Sequence, residues 1–306
     1  CVDILGNKDN PVVSIKSAGK DVKEVIKHCK AYMKGMQDYG LIATLKHFPG
    51  DGYCKDDQHI TTSINPLSKT MWNKTFKKVY KELINDGVKA IMPGHISLPS
   101  IDKIDPLTNN YPPASLSKYL LTDILKNELG FEGIIISDAV NMSGFCGYMN
   151  YYKACARFLM SGGDCLLFAH PNEEFFDQMN KCIKNNDLDI EVLKNRAYRM
   201  LCFKRQYFEE LKTIKQKDID VDGDKLEKYV VDNSVEVIKD KIITPLAPIF
   251  FSIFELNIVA APIFVPSISS KSSIGANDTL AISISLWLSV IMSGKIISCE
   301  SFSVSL

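Results

Sequence analysis

The order of segments in this 306-residue chain predicts an α/β fold of the TIM-type (β/α)8 barrel class. Short apolar runs typical of buried strands alternate with segments of helical periodicity, and glycine closes several of the predicted helices. The strand candidates end at about residues 5, 47, 94, 137 and 168. Histidine or aspartate stands at or close to the last four of these ends, and in barrels of parallel strands that edge carries the chemistry.

The apolar patterning gives the elements in order along the chain. We expect strands at residues 2–5, 41–45, 88–92, 134–136 and 164–169. We expect helices at residues 21–39, 70–86, 151–160, 173–184 and 190–207, and one that is capped by Ser115 or Ser117 and runs to Leu129. Gly40, Gly87 and Gly130 directly follow three of these helices, as glycine commonly does at a helix C-terminus.

The composition sets broad limits on function. The chain has 36 basic and 36 acidic residues, and this balance indicates neither a nucleic-acid partner nor an acidic surface as a target. Its nine cysteines include no CxxC spacing, so neither a zinc site nor a redox motif is indicated. Scattered cysteines in a chain of this length favour a reducing compartment, and so the cytoplasm.

One stretch concentrates polar residues after the second predicted strand. Residues 46–52 are Lys-His-Phe-Pro-Gly-Asp-Gly, and residues 56–59 are Asp-Asp-Gln-His. A lone Gly-Asp-Gly would indicate a solvated turn. A strand that ends in Lys-His and then breaks at proline and glycine indicates instead that functional groups stand at the carboxyl end of the strand.

A second stretch follows in residues 130–142, Gly-Phe-Glu-Gly-Ile-Ile-Ile-Ser-Asp-Ala-Val-Asn-Met. The two stretches, in this order, resemble the signature of the β-N-acetylglucosaminidase branch of glycoside hydrolase family 3. That branch carries Lys-His-Phe-Pro-Gly-His/Asp-Gly followed by Asp-x-His. The resemblance covers about residues 2–246, and it implies a TIM-type barrel with a retaining glycosidase mechanism.

The resemblance assigns Asp138 as the catalytic nucleophile. Asp138 follows an apolar, β-branched strand, which would hold its backbone rigid and direct its carboxylate toward the barrel mouth. Retaining glycosidases use such a carboxylate to form a covalent bond to the sugar. The alternative, from position alone, is that Asp138 caps the next helix.

The resemblance also implies that His59 is the general acid and base, with Asp57 as its partner. Histidine titrates near neutral pH and so both donates and accepts a proton in one reaction cycle. Asp56 is the competing partner, and the family spacing favours Asp57. Gly50 and Gly52 are expected to let this loop swing over a bound sugar.

The remaining predicted site residues would bind the sugar. Lys46 and His47 are expected to contact hydroxyl groups, and His95 is expected either near the sugar pocket or packed in the core. Lys16 stands where the family has a sugar-binding arginine, and lysine keeps the charge without the planar fork. Asp51 replaces a histidine that is usual at its position. The implied mechanism requires neither a metal nor an organic cofactor.

The resemblance divides the chain into three parts. The family has further βα units before the segment that aligns with residue 2, so we expect residues 1–217 to be a barrel domain truncated at its N-terminus. Residues 218–246 resemble a linker toward a second domain. Residues 247–306 change abruptly to an unassigned, apolar, serine-rich tail, which favours out-of-frame translation over a membrane-associated tail or a small β domain. The apolar run at 281–293 is too short for a confident membrane span.

These inferences predict a retaining glycoside hydrolase that removes terminal β-linked N-acetylglucosamine from peptidoglycan or chitin fragments through a glycosyl-aspartate intermediate. One alternative is a family 3 β-glucosidase, against which the Asp-x-His pair argues. The other is a non-catalytic carbohydrate-binding fragment. The expected partner is a carbohydrate substrate and not a nucleic acid, and the oligomeric state stays open.

Overall fold

The computed structural model describes residues 1–14 and 16–213, together with residues 225, 228–229, 236–238 and 241–243. The chain divides into two compact units, Cys1–Phe251 and Ser252–Leu306, and every described residue lies in the first. The predicted tail at 247–306 and most of the predicted linker at 218–246 therefore lie outside the described residues.

The described residues form an α/β fold with a parallel sheet. The described strands, which belong to three sheets, are β1 (Thr44–Phe48), β2 (Ser63–Ile64), β3 (Ala90–Pro93), β4 (Ile96–Ser97), β5 (Ile134–Ala139), β6 (Cys165–Leu167), β7 (Glu236–Ile238) and β8 (Lys241–Ile243). A four-stranded sheet has the order β1-β3-β5-β6 with every neighbouring pair parallel. Parallel neighbours joined through helices are the βα units of a TIM-type barrel wall, so the predicted fold class is confirmed.

Two smaller pairs of strands complete the described sheets. The short strands β2 and β4 pair in parallel, and each follows the C-terminal end of a strand of the main sheet. They therefore extend the loops at the edge where the predicted site residues gather. The strands β7 and β8 pair antiparallel to each other.

The helices are α1 (Val22–Asp38), α2 (Lys69–Lys74), α3 (Phe76–Asn85), a π-helical segment (Tyr119–Glu128), α4 (Ser143–Cys146), α5 (Tyr151–Ser161), α6 (Glu173–Lys184) and α7 (Ile190–Thr213). Several begin at side-chain caps, because a helix leaves its first N–H groups without partners. Asp21, Ser68, Asn150 and Asn172 accept such bonds at α1, α2, α5 and α6. Of the two predicted caps of the π-helical segment, Ser117 accepts from the Leu120 N–H at 3.0 Å.

The predicted helix at 70–86 is two helices, and the break lies at Thr75. Thr75 has φ −112° and ψ −98°, and its hydroxyl donates to the Met71 carbonyl at 2.7 Å. Such a bond to the preceding turn bends helices. The bend lets Trp72 on α2 and Phe76 on α3 both be completely buried, so core packing favours the break.

The predicted strand at 2–5 is not a strand. The Val2 N–H donates to the Lys46 carbonyl at 2.8 Å, and this bond places the segment beside β1. The next donor on β1, the His47 N–H, bonds to the side chain of Asp3 at 3.1 Å. Because a carboxylate takes the place of the backbone acceptor, the regular ladder ends after one bond.

An aromatic cluster buries the turn that follows β1. Phe48, Trp72, Phe76 and Tyr80 are all completely buried, and the rings of Phe48 and Tyr80 meet edge to face with centroids 5.1 Å apart. The Trp72 Nε1–H donates to the Pro49 carbonyl at 2.8 Å. The apolar cluster therefore also fixes the backbone of the motif loop.

Gly50 and Gly52, which were expected to let this loop swing, stand where a side chain would collide with neighbouring atoms. Gly50 has φ +124°, and a Cβ there would lie 2.4 Å from the Phe76 ring. A Cβ on Gly52 would lie 1.9 Å from the Ile4 carbonyl oxygen. These glycines allow close approach of the chain, and their role in a loop movement stays a prediction.

Within the described part of the chain, we find no helix that has both the length and the apolar character needed to cross a membrane.

We expect Gly52→Ala to lower the free energy of unfolding by about 3 kcal/mol or more, because the new methyl group must displace backbone. Gly35→Ala is the matched control. It lies on α1 with open space around its Cβ position and should stabilise the protein by about 0.5–1 kcal/mol. Urea unfolding measures both. Equal stability of the two variants would contradict the packing role of Gly52.

Candidate active site

Asp138 lies near the carboxyl end of β5, where its side chain is 15% exposed. Its Oδ1 accepts the N–H of the next residue, Ala139, at 2.8 Å. The helix that follows, α4, begins at Ser143 with Met142 in the cap position. The alternative role of Asp138 as a helix cap is therefore not observed, and its Oδ2 faces His47 on β1, the strand on the far side of β3.

His47 stands between two carboxylates. Its Nδ1 lies 2.9 Å from Asp3 Oδ2, and its Nε2 lies 3.7 Å from Asp138 Oδ2. The first distance is that of a hydrogen bond, and the second is too long for one. His47 is only 6% exposed and Asp3 is fully buried. The imidazole therefore connects a buried anion to the predicted nucleophile.

Asp3 is a site residue that the sequence analysis did not single out. Its Oδ2 also accepts the His47 N–H at 3.1 Å, and its Oδ1 accepts the Asp51 N–H at 2.7 Å. The available signal was one charged residue inside the apolar run at 2–5. A carboxylate buried with such a run needs several hydrogen-bond donors around it, and such donors gather at a site.

His59 and Asp57 form a close pair on the loop between β1 and β2. The His59 Nδ1 lies 2.6 Å from Asp57 Oδ1, and the His59 N–H donates to the same oxygen at 2.8 Å. Asp56 is exposed, and its carbonyl accepts the Ser63 hydroxyl. The pair therefore uses Asp57, and the side chain of His59 remains 56% exposed to solvent.

The electrostatics of Asp57 follow from this pairing. Partial burial raises its pKa, but the hydrogen bonds from the His59 backbone and ring outweigh that effect and hold the pKa below its usual range. The positive charge of Lys16 acts in the same direction. The half-buried Lys16 therefore lies on the same side of the molecule as Asp57 and His59, which we call the dyad. Lys46 is half-buried on β1 beside His47.

His95 follows β3 and is fully buried. Its Nδ1 lies 2.9 Å from the Ser115 hydroxyl, and its Nε2 lies 3.0 Å from the Ala139 carbonyl. A neutral ring with its proton on Nε2 satisfies both partners. Burial lowers the pKa of His95 to about 4, although the charge of Asp138 raises it. Both ring nitrogens are therefore occupied by the protein, and His95 connects the ends of β3 and β5.

Asp51 occupies the position where the resembled signature usually has histidine. Its carboxylate is fully buried and accepts Asn10 Nδ2 at 2.9 Å and Gln58 Nε2 at 3.1 Å. Burial, and then the charge of Asp3, raise its pKa to about 6. Asp51 therefore acts as an acceptor that joins the N-terminal segment to the dyad loop.

Cys1, Asp3 and His47 bring potential metal-ligand atoms within 4.8 Å of one another in the described part of the chain. These atoms already bond to each other, because the Cys1 thiol donates to Asp3 Oδ2 at 3.1 Å and His47 Nδ1 bonds to the same oxygen. The hydrogen bonds account for the geometry of the group.

Residues 1–203 match the family profile described as "Glycosyl hydrolase family 3 N terminal domain". The chain belongs to this family. The family resemblance carried by the motifs at 46–59 and 130–142 is therefore confirmed. In this family 3 domain, Asp138 lies near the carboxyl end of β5 and the Asp57–His59 pair lies on the loop after β1, and both strands belong to one parallel sheet.

Curated relatives match along the same region. The chain is 34% identical over 206 residues to a "Beta-N-acetylglucosaminidase/beta-glucosidase" of Cellulomonas fimi, with 66% of this chain and 36% of the relative covered. It is 36% identical over 158 residues to a "Beta-hexosaminidase" of Glaesserella parasuis, with 51% and 44% covered. The chain therefore spans less than half the length of these relatives.

Solved structures share the fold. A "Beta-glucoside phosphorylase BglX" superposes with TM-score 0.69 and 32% identity, covering 78% of this chain and 45% of that one. A glycoside hydrolase family 3 β-N-acetylglucosaminidase from Paenibacillus superposes with TM-score 0.62 over 72% of this chain and 41% of that one, at 24% identity. The second likeness concerns the fold alone.

We expect the burial of His95 to make stability depend on pH. The imidazole of His95 binds a proton near pH 6.5 in the unfolded chain and near pH 4 in the folded protein. The free energy of unfolding therefore falls as the pH is lowered between these values. The loss from this group is about 3 kcal/mol. Asp51 titrates in the opposite sense, so the test compares the wild type with His95→Gln at each pH.

The stability difference between the wild type and His95→Gln should shift in favour of the variant by that amount as the pH falls from 7.5 to 4. Ser115→Ala removes a ring partner but keeps the imidazole, and should retain the wild-type pH dependence. Denaturant unfolding across this pH range measures both. A difference that stays constant with pH for His95→Gln would contradict the prediction.

Proposed function

We propose that this protein is a retaining glycoside hydrolase that removes terminal β-linked N-acetylglucosamine from peptidoglycan or chitin fragments. The observation that carries the proposal is the 2.6 Å Asp57–His59 pair in a family 3 domain whose fifth strand carries Asp138. Relatives named β-N-acetylglucosaminidase and β-hexosaminidase support the substrate class. The ligand that this site binds is then a carbohydrate substrate.

In the first step, Asp138 Oδ2 attacks the anomeric carbon and forms a glycosyl-aspartate ester. The imidazolium of His59 gives its proton to the glycosidic oxygen as the bond from that oxygen to the sugar breaks. Asp57 stabilises the charged ring before the transfer and holds Nδ1, so that Nε2 is the nitrogen that exchanges protons. The exposed position of His59 suits a proton exchanged at the barrel mouth.

In the second step, the neutral His59 removes a proton from water, and the resulting hydroxide attacks the anomeric carbon. The ester to Asp138 breaks, the sugar leaves with retained configuration, and both catalytic groups return to their starting states. No net charge is created in the cycle. The same imidazole therefore donates a proton in the first step and accepts one in the second.

The other predicted residues have supporting roles in this proposal. His47 holds Asp138 through its Nε2 contact, and with Lys46 and Lys16 it offers donors to sugar hydroxyls. His95 has no free ring nitrogen, so we assign it to positioning β3 against β5 and not to direct contact with the sugar. No step requires a cofactor.

A second candidate is transfer of the sugar to phosphate. It is favoured by the likeness, at 32% identity over 78% of this chain, to a structure named β-glucoside phosphorylase. Phosphate would attack the same glycosyl-aspartate and give a sugar 1-phosphate. Because the proton carrier is a histidine and not a carboxylate, it does not repel an incoming anion.

We expect the protein to hydrolyse an aryl β-N-acetylglucosaminide faster than the matching β-glucoside, and Asp138→Asn to lower turnover about a thousandfold or more. Asp123→Asn, exposed on the π-helical segment, is the control and should keep wild-type turnover. Repeating the assay with inorganic phosphate separates the acceptors, because phosphorolysis yields a sugar 1-phosphate.

Preference for the glucoside would overturn the substrate class. If neither substrate turns over and N-acetylglucosamine still binds by calorimetry, the non-catalytic alternative holds. Wild-type turnover by Asp138→Asn would remove this residue from the mechanism.

We expect His59→Ala to slow poor leaving groups about 10²–10⁴-fold more than good ones, because an activated phenolate leaves without a proton. A series of aryl glycosides of increasing leaving-group pKa measures this dependence. His28→Ala, an exposed histidine on α1, should leave the series unchanged. An equal loss with every leaving group would argue against His59 as the acid.

A further inference from the structure

Gln58 separates the two dyad residues and differs from both in burial. Gln58 is fully buried, whereas the side chains of Asp57 and His59 are 28% and 56% exposed. A buried amide must satisfy both its donor and its acceptor end. The partners of Gln58 therefore decide where this part of the loop is held.

The side chain of Gln58 connects the ends of two strands. Its Nε2 donates to Asp51 Oδ2 at 3.1 Å on the segment after β1. Its Oε1 accepts the His95 N–H at 2.8 Å after β3. An ionised carboxylate only accepts and an N–H only donates, so the orientation of the amide is fixed by its two partners.

The backbone of Gln58 adds a third attachment. Its carbonyl accepts the Gly144 N–H at 3.2 Å, and the carbonyl of His59 accepts the Ser143 N–H at 3.1 Å. Both donors belong to α4, which follows the strand of Asp138. One residue therefore holds the dyad loop to the segments that follow β1, β3 and β5.

Two glycines allow this close approach. A Cβ on Gly94 would lie 2.8 Å from Gln58 Oε1, and a Cβ on Gly144 would lie 2.5 Å from the Gln58 carbonyl oxygen. Neighbours on both sides of Gln58 therefore lack side chains where it packs. The surroundings of the amide are built for a fixed position.

We propose that Gln58 is the positioning residue that holds the Asp57–His59 dyad at the carboxyl-end edge of the sheet, through a hydrogen bond from its amide to Asp51. Its effect on catalysis rests on the function proposed above, but the position of the loop does not. In this arrangement Asp51, in place of histidine, supplies the acceptor that the Gln58 amide requires. Misplacing a catalytic group by about 1 Å costs about a hundredfold in rate.

The test reverses the polarity of this pairing. Gln58→Glu places two carboxylates at the 3.1 Å separation of the present contact and removes the donor, so the loop should be released. The double variant Asp51→Asn with Gln58→Glu restores one donor and one acceptor. The amide introduced at position 51 would then donate to the new carboxylate, which still accepts the His95 N–H. Gln58→Met, similar in length and unable to hydrogen bond, is the second disrupting variant in case Gln58→Glu does not fold.

The first measurement is hydrogen exchange in the full chain. We expect the amides of Ile60 and Thr61, which bond to the Asp57 carbonyl, to exchange at least tenfold faster in Gln58→Glu and in Gln58→Met. The double variant should recover the wild-type rates. This measurement needs no turnover, so it tests whether Gln58 holds the dyad loop even if the proposed function fails.

The second measurement is the kinetics with aryl glycosides. We expect kcat for a poor leaving group to fall about a hundredfold in the disrupting variants, with KM within about threefold of wild type, and to recover in the double variant. Unchanged exchange in a folded Gln58→Met would overturn the proposal. A folded double variant that exchanges as fast as Gln58→Glu would overturn the pairing with Asp51.

Discussion

A carboxylate with no solvent exposure, that of Asp3, accepts hydrogen bonds from the His47 backbone, the His47 ring and the Asp51 backbone. Burying such a charge is costly unless donors surround it, so these donors must converge on one point. The end of β1 and the loop after it take their shape from this requirement. Because the bonds reach the ring of His47 as well as its backbone, the same carboxylate sets the direction of the imidazole toward Asp138.

The strand ends are joined by polar side chains. Asp51 bonds to Gln58, Gln58 bonds to the His95 N–H, and the ring of His95 bonds to the carbonyl of Ala139 beside Asp138. The carboxyl ends of parallel strands have no further ladder to hold them together, and side-chain networks take over that role. The apolar core below supports this layer through the Trp72 bond to the Pro49 carbonyl.

The sequence alone predicted the features that depend on local pattern. Apolar periodicity gave the α/β order, and the Asp-x-His spacing favoured Asp57 over Asp56 as the residue next to His59. It did not predict contacts between residues far apart in the chain. Asp3 and His47 are 44 positions apart, Gln58 was an unremarked amide between two polar residues, and the break at Thr75 reflects how Trp72 and Phe76 share the core. The crowding around Gly50 and Gly52 comes from Phe76 and Ile4, which lie elsewhere in the chain and leave no trace in the local pattern.

The bond between Trp72 and the Pro49 carbonyl gives the protein an optical label. The sequence has two tryptophans, and Trp72 is the one that lies among the described residues. Its indole is fully buried, packs edge to face against Phe48, and donates to the turn that continues from His47. With Trp287 replaced by phenylalanine, the wavelength of the remaining indole emission would report whether that turn keeps its hydrogen bond and its apolar surroundings, with no probe attached.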